Sequence, residues 1–378
     1  MNQLLEKNKM WIDETWDKIV VKLRRNSELL KNKLPLVTTD GVYDDNSSPE
    51  KIEAWTNGFW PGIMWLMYSA TKEECFRETA ENGEKALDVA LERYQCLHHD
   101  VGFMWHISAG ANYRLTGNEK SKNRNLHAAA VLAARYNPAG QFIKAWDYKG
   151  VEGWTIIDSM MNISLLYWAA DLVNNAGLRQ IAMNHADNTV KNHIRPDGSV
   201  IHMVHYDVDT GECQGVAPCT QGFDPETSSW SRGQAWAVYG FAISYLHTGE
   251  QRYLDAAKRV AHYFIASILR DNYIPRADFR APKEPVYYDT SAGAIAACGL
   301  IEIAKAVPEY EKELYMDAAL NIMKAIVDGH CDFSEEEQGI LQDCSGSYAQ
   351  AVHISAIYGE YYFVEAMYKL KGFEPMFW

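Results

Sequence analysis

The sequence has 378 residues, 47% hydrophobic and 23% charged, a composition that excludes an intrinsically disordered chain and leaves ample material for a core. Lys and Arg number 36 against 50 Asp and Glu, a formal charge of −14. So acidic a chain, with no Lys/Arg cluster, is a poor partner for nucleic acid or an anionic membrane, while a small anionic substrate stays open because local charge decides that.

The N-terminal stretch MNQLLEKNKMWIDETW is charged and has no apolar segment, so no signal peptide is expected. From there, charged amphipathic segments alternate with uncharged segments rich in Gly, Ala, Ser, Trp and Tyr. The charged ones span roughly 3–31, 73–97, 119–136, 178–194, 250–270 and 309–328. The uncharged ones span roughly 58–70, 102–115, 159–174, 231–247, 290–306 and 358–371. An amphipathic helix covers a core with one face, whereas a helix apolar on every side is buried on every side. Runs 54–71 and 233–249 approach membrane-span length, but Asn57, Pro61 and Gln234 suit buried helices better. Strict alternation of six and six predicts an all-α, (α/α)6 barrel of six helical hairpins, with residues 1–378 as one catalytic domain. The inner helices are expected to be buried and the site to lie in the loops on one rim. An open helical array is the alternative. The one strand-like stretch, Gly198–Asp207, predicts part of a short hairpin inside a long loop.

The seven cysteines are Cys75, Cys96, Cys213, Cys219, Cys298, Cys331 and Cys344. Odd in number and without a C-x-x-C pair, they read as reduced thiols of a cytoplasmic protein and not as disulfides or a zinc site. No metal and no cofactor is expected, since no H-E-x-x-H, Walker loop, dinucleotide fingerprint or G-x-S-x-G is present.

Each uncharged segment begins with a distinctive cue. Asp100 and Asp158 stand before two of these helices, where plain helix capping competes with catalysis. Nine of the 12 Trp fall between Trp55 and Trp236, so both aspartates are expected in an aromatic rim. A carboxylate pair in such a cleft is equipment for acid/base work on sugars. Arg232, flanked by Trp230 and Trp236, reads either as a salt bridge tying loops or as a clamp for an anion. Asp289, before another inner helix, reads as a cap.

The cues WTNGFWPG, HHDVGF, KAWDYKG, IIDSMMN, SSWSRGQAW and YGEYYFVEA, in unbroken order from about residue 50 onward, resemble the unsaturated glucuronyl hydrolases of glycoside hydrolase family 88. The resemblance implies an (α/α)6 barrel without cofactor. It also implies action on disaccharides carrying a 4,5-unsaturated uronic acid at the non-reducing end. It makes Asp158 the catalytic acid/base and Asp100 the assisting aspartate, and it places Trp55, His99, Trp146, His202, Gln221, Trp230, Arg232 and Trp236 around the sugar. Segment 343–355 has no Lys or Arg, which argues against sulfate recognition there. Competing readings are an unsaturated rhamnogalacturonyl hydrolase, a sugar 2-epimerase and a non-catalytic sugar-binding barrel. The expected partner is the disaccharide alone, with the chain a monomer or weak homo-oligomer.

Overall fold

The computed structural model describes residues 2–378; Met1 of the expected 1–378 domain lies outside the described residues. Six outer helices run over Lys9–Leu29, Glu74–Ala86, Glu119–Ala134, Ala176–Asn192, Gln251–Ile268 and Glu309–Gly329. Their pattern is amphipathic: in Gln251–Ile268, Leu254, Ala257, Val260, Ala261 and Phe264 are buried, while Arg252, Asp255 and Arg259 face outward.

The inner elements alternate with them. They are Phe59–Thr71, the pair Gly102–His106 and Ala109–Thr116, the pair Ser159–Asn162 and Ser164–Leu172, then Ser231–Thr248, Thr290–Ala306 and Ile357–Leu370. Every residue from Thr290 to Ala304 and from Ile357 to Leu370 is buried. Each inner element packs on the next, and Ile357–Leu370 packs on Phe59–Thr71, which closes the ring. The fold is therefore the (α/α)6 barrel. Small residues allow the close approach: a Cβ on Gly299 would lie 2.8 Å from the Tyr239 backbone. Among the described residues no helix is long and apolar enough to cross a membrane, and all seven thiols are free.

The expected inner helix over 102–115 is not continuous. Gly102–His106 forms a wide π-type turn, and the chain breaks at Ser108 before Ala109. The cause lies on the neighbouring element, where Asn162 Oδ1 accepts the Phe103 N–H at 2.9 Å and draws this first turn toward it. A Cβ on Gly102 would lie only 2.7 Å from the Asn162 Cα, so glycine is what permits the approach. The predicted hairpin is larger than expected. Met203–Tyr206 is the central strand of a three-stranded antiparallel sheet, between Trp154–Ile156 and Cys213–Val216. This sheet sits on the rim that carries the inner-helix N-termini. Ile156 pairs with Met203, and the Ile157 N–H donates to the His202 carbonyl at 3.0 Å. The register therefore holds His202 against Asp158.

Candidate active site

Asp158 immediately precedes the helical turn Ser159–Asn162, yet its side chain makes no capping hydrogen bond. Its Oδ1 is buried without any hydrogen-bond partner, while the side chain as a whole remains 14% exposed. Capping therefore does not explain this residue. Asp100 does not cap either. Its Oδ2 lies 3.1 Å from His98 Nδ1 and 3.3 Å from His99 Nε2, and its Oδ1 accepts from Asn162 Nδ2 at 3.1 Å. His99 Nδ1 in turn meets Ser159 Oγ at 3.0 Å. One aspartate is surrounded by polar partners, and the other is left bare.

That difference separates their proton affinities. Burial pushes the Asp158 carboxyl up to about 8, the negative charge of Asp100 adds to this, and Arg232 opposes it. Burial works against an ionised Asp100 as well, but His99, His98 and Asn162 outweigh it and hold the carboxyl below the usual carboxylate range. His99 is itself held down to about 4, mainly by burial. It is thus neutral, with Nε2–H available to Asp100 and Nδ1 available to accept from Ser159. Burial also holds His202 well below its ordinary value. Its Nδ1 accepts the Gln221 N–H at 3.0 Å, which leaves Nε2–H facing Asp158 Oδ1 at 3.8 Å, beyond hydrogen-bond reach. Two carboxyls whose surroundings push their proton affinities apart are able to serve as an acid and its ionised partner.

Arg232 is not the open anion clamp that its setting suggested. Its guanidinium is buried between the Trp230 and Tyr358 rings, 4.5 and 4.9 Å from their centroids. Nη1 pairs with Asp289 at 2.8 Å and donates to the Ser345 carbonyl, while Nη2 donates to the Gly346 carbonyl. The loop-tying salt bridge is the reading that the geometry supports. Asp289 stands at the N-cap of Thr290–Ala306 as expected, but without a capping hydrogen bond from its side chain; its carboxylate accepts instead from Arg232, Ser291 and the Ser345 N–H.

The aromatic residues divide by depth. Trp55 is half-buried and stacks on Tyr358 at 5.3 Å; Trp146 is half-buried and meets His99 edge-on at 5.8 Å. Trp230 is buried, 4.4 Å from the His202 ring. Trp236 departs from the sugar-facing position expected of it. It is fully buried between Phe103 and Tyr362 and backs the cleft from below. Gln221 is half-buried at the rim, and its backbone bridges His202 to the Tyr348 N–H.

Residues 27–376 match the model of Glycosyl Hydrolase Family 88. The chain belongs to this family. It is 34% identical to the unsaturated glucuronyl hydrolase of Bacillus sp. strain GL1, covering 98% of this chain and 99% of that protein. The crystal structure of an unsaturated glucuronyl hydrolase from Bacillus sp. GL1, described as responsible for glycosaminoglycan degradation, superposes with a TM-score of 0.88 at 33% identity. That superposition covers 95% of this chain and 97% of the other. An unsaturated chondroitin disaccharide hydrolase of Streptococcus pneumoniae is 30% identical over 97% of this chain and 93% of its own. As a family 88 member the protein is a glycoside hydrolase.

Within this family 88 site, the sequence reading passed over Asn162 and Tyr358. Asn162 stands four residues after Asp158, one helical turn along the same inner element, so its spacing carried the signal. Tyr358 lies inside the YGEYY cue. Among the described residues, His98, His99 and Asp100 form one cluster of potential metal-ligating atoms, all within 4.8 Å of one another.

The Arg232–Asp289 pair yields a stability prediction. Asp289→Ala leaves a buried guanidinium without its counter-charge and should cost about 3–5 kcal/mol in chemical denaturation. A loss below about 1 kcal/mol would mean that the carbonyls of Ser345 and Gly346 suffice to hold the cation.

Proposed function

We propose that this chain is an unsaturated glucuronyl hydrolase that removes a 4,5-unsaturated uronic acid from the non-reducing end of glycosaminoglycan-derived disaccharides. We read residues 1–378 as one catalytic barrel, supported by one large buried cluster running from Ile12 to Trp378, beside two small ones at the rim sheet. The observation that carries the functional reading is the buried Asp158 carboxyl oxygen without a hydrogen-bond partner, near an Asp100 surrounded by His98, His99 and Asn162; burial and the Asp100 charge favour the protonated form of Asp158. A vinyl ether needs a proton on carbon, and therefore an acid still protonated near neutral pH, with negative charge close by to meet the cation that develops.

In this reading Asp158 protonates C4 of the C4=C5 double bond, and positive character spreads over C5 and the ring oxygen. Asp158, now ionised, takes a proton from water, and the water oxygen bonds to C5. The hemiketal opens to a ketone, and the hemiacetal left at C1 releases the second sugar. Asp100 keeps its partner protonated and stabilises the cationic transition state. The half-buried Trp55 and Trp146 offer ring faces to the sugar. His202 Nε2, unpartnered and facing Asp158, is placed to hydrogen-bond a substrate oxygen or the incoming water.

The test is a substrate panel followed by the absorbance of the conjugated double bond. Unsaturated chondroitin or hyaluronan disaccharides should lose that absorbance with enzyme, and saturated disaccharides should release no sugar. Turnover confined to unsaturated rhamnogalacturonyl disaccharides would transfer the assignment to pectin fragments. Inertness toward all unsaturated uronyl disaccharides would sink it.

A further inference from the structure

A cavity of about 860 Å³ opens between the C-terminal end of helix Gln251–Ile268 and the loop over 276–283. It contains none of the residues that build the catalytic cleft. It lies on the outer side of a loop whose continuation supplies Asp289. Four cations line it, Arg270, Arg276, Arg280 and Lys283, against the single carboxylate of Asp271. In a chain of net charge −14, this is a local reversal of sign.

The cations fall into two kinds. Arg276 is bound to Asp271 at 2.7 Å, and Arg280 pairs with Asp197 at the cavity edge at 2.5 Å. The exposed Arg270 and Lys283 have no ion-pair partner among the described residues. Aromatic rings complete the wall: Tyr263 and Phe279 stand with centroids 6.2 Å apart. The Arg280 guanidinium lies 5.9 Å from the Tyr263 ring, and its Nε–H donates to the Tyr263 hydroxyl at 3.2 Å. The loop is held in place from behind, since the Phe279 N–H donates to the Ser229 carbonyl at 3.0 Å and Asp278 accepts the Arg280 N–H at 2.8 Å. The cavity is thus preformed.

We propose that this cavity is a second, non-catalytic site for an anionic oligosaccharide. Arg270 and Lys283 take its sulfate or carboxylate groups, and the Tyr263 and Phe279 wall takes a sugar face. The volume is within the range of organic-ligand pockets and far exceeds what one inorganic ion fills, which favours a multi-ring ligand. Two free cations beside aromatic rings match a saccharide carrying one charge per ring. Such a site would hold a longer fragment of the polymer beside an enzyme that consumes its ends. The choice of polymer rests on the proposed function, whereas the existence of the site does not.

A saturated chondroitin 6-sulfate hexasaccharide tests this, because without a C4=C5 bond it is no substrate. Titration calorimetry at low salt should show binding to the wild-type chain. Arg270→Ala/Lys283→Ala should weaken it about tenfold, the combined effect of two exposed charge contacts. Both positions lie outside the cleft, so turnover of an unsaturated disaccharide should stay within about twofold. Equal affinity in the double variant overturns the proposal, as does displacement of the hexasaccharide by the unsaturated disaccharide, which would place it in the cleft. Full displacement by an equal concentration of inorganic sulfate overturns it in favour of a plain anion site. A chain that binds the hexasaccharide here but turns over nothing would contradict the catalytic reading and leave this site standing.

Discussion

Asp158→Asn should lower kcat on an unsaturated glucuronyl disaccharide by about 10²–10⁴-fold, the contribution of a positioned acid/base. The amide keeps the size and planarity of the carboxyl but has no acidic proton for C4 and cannot accept one from water. The same variant should fold at least as stably as the parent near pH 7. The parent carboxyl has its pKa pushed up to about 8, first by burial and then by Asp100. An unfolded Asp titrates near 4. Between those values the folded chain binds more protons than the unfolded one, so the stabilising contribution is complete below about pH 4 and is lost as pH rises through about 8. Asparagine removes this slope. A thermal melt series from pH 5 to 9 should show the parent losing stability toward alkaline pH more steeply than the variant. Retention of near-parental kcat by Asp158→Asn would reject the proton-donor assignment, whatever the melts show.

Asp100→Asn should act on the pH profile as well as on the rate. In the parent, kcat/KM should fall as Asp158 loses its proton near pH 8. It should also fall at low pH as Asp100, held below the usual carboxylate range by its His and Asn donors, becomes protonated. Removing the Asp100 charge takes away the second cause of the high Asp158 pKa, so the alkaline limb should move to lower pH. The acid limb assigned to Asp100 should disappear. Loss of charge stabilisation at the developing cation should lower kcat by about 10²–10³-fold, in line with single electrostatic groups in other sites. An alkaline limb that stays in place would show that burial alone sets the Asp158 pKa. His98 and His99 also lose the negative charge they lie against, which makes Asp100→Asn the more disruptive of the two changes.

The barrel was legible because its signal repeats. Twelve segments alternate between one-sided and all-round apolarity, and only nested rings bury six helices completely. The two aspartates were legible from their places before inner helices. Their difference was not, because it depends on which donors converge from elsewhere. Asn162 reaches Asp100 from 62 residues away, and His98 and His99 fold back onto it from the chain just before. Arg232 looked available beside two tryptophans. Its neutralising partner Asp289 lies 57 residues on, and the accepting carbonyl of Ser345 lies 113 residues on. Trp236 stands six residues after Trp230, and no local pattern distinguishes a ring at the rim from a ring beneath it. The interruption at Ser108 was hidden for the same reason, since the side chain that causes it sits on the adjacent inner element. Local periodicity thus located the elements and the rim, while depth and pairing within the site came from contacts between distant segments.

The central claim is that Asp158 drives hydration of the double bond and that release of the second sugar follows from it. Its most direct test is a single time course with wild-type chain and unsaturated chondroitin disaccharide. The double-bond absorbance and the freed second sugar are recorded together. The account predicts that the absorbance falls before the second sugar appears, or at the same moment, and never after it. Second sugar accumulating while the absorbance persists would mean direct displacement at C1, and would contradict the account.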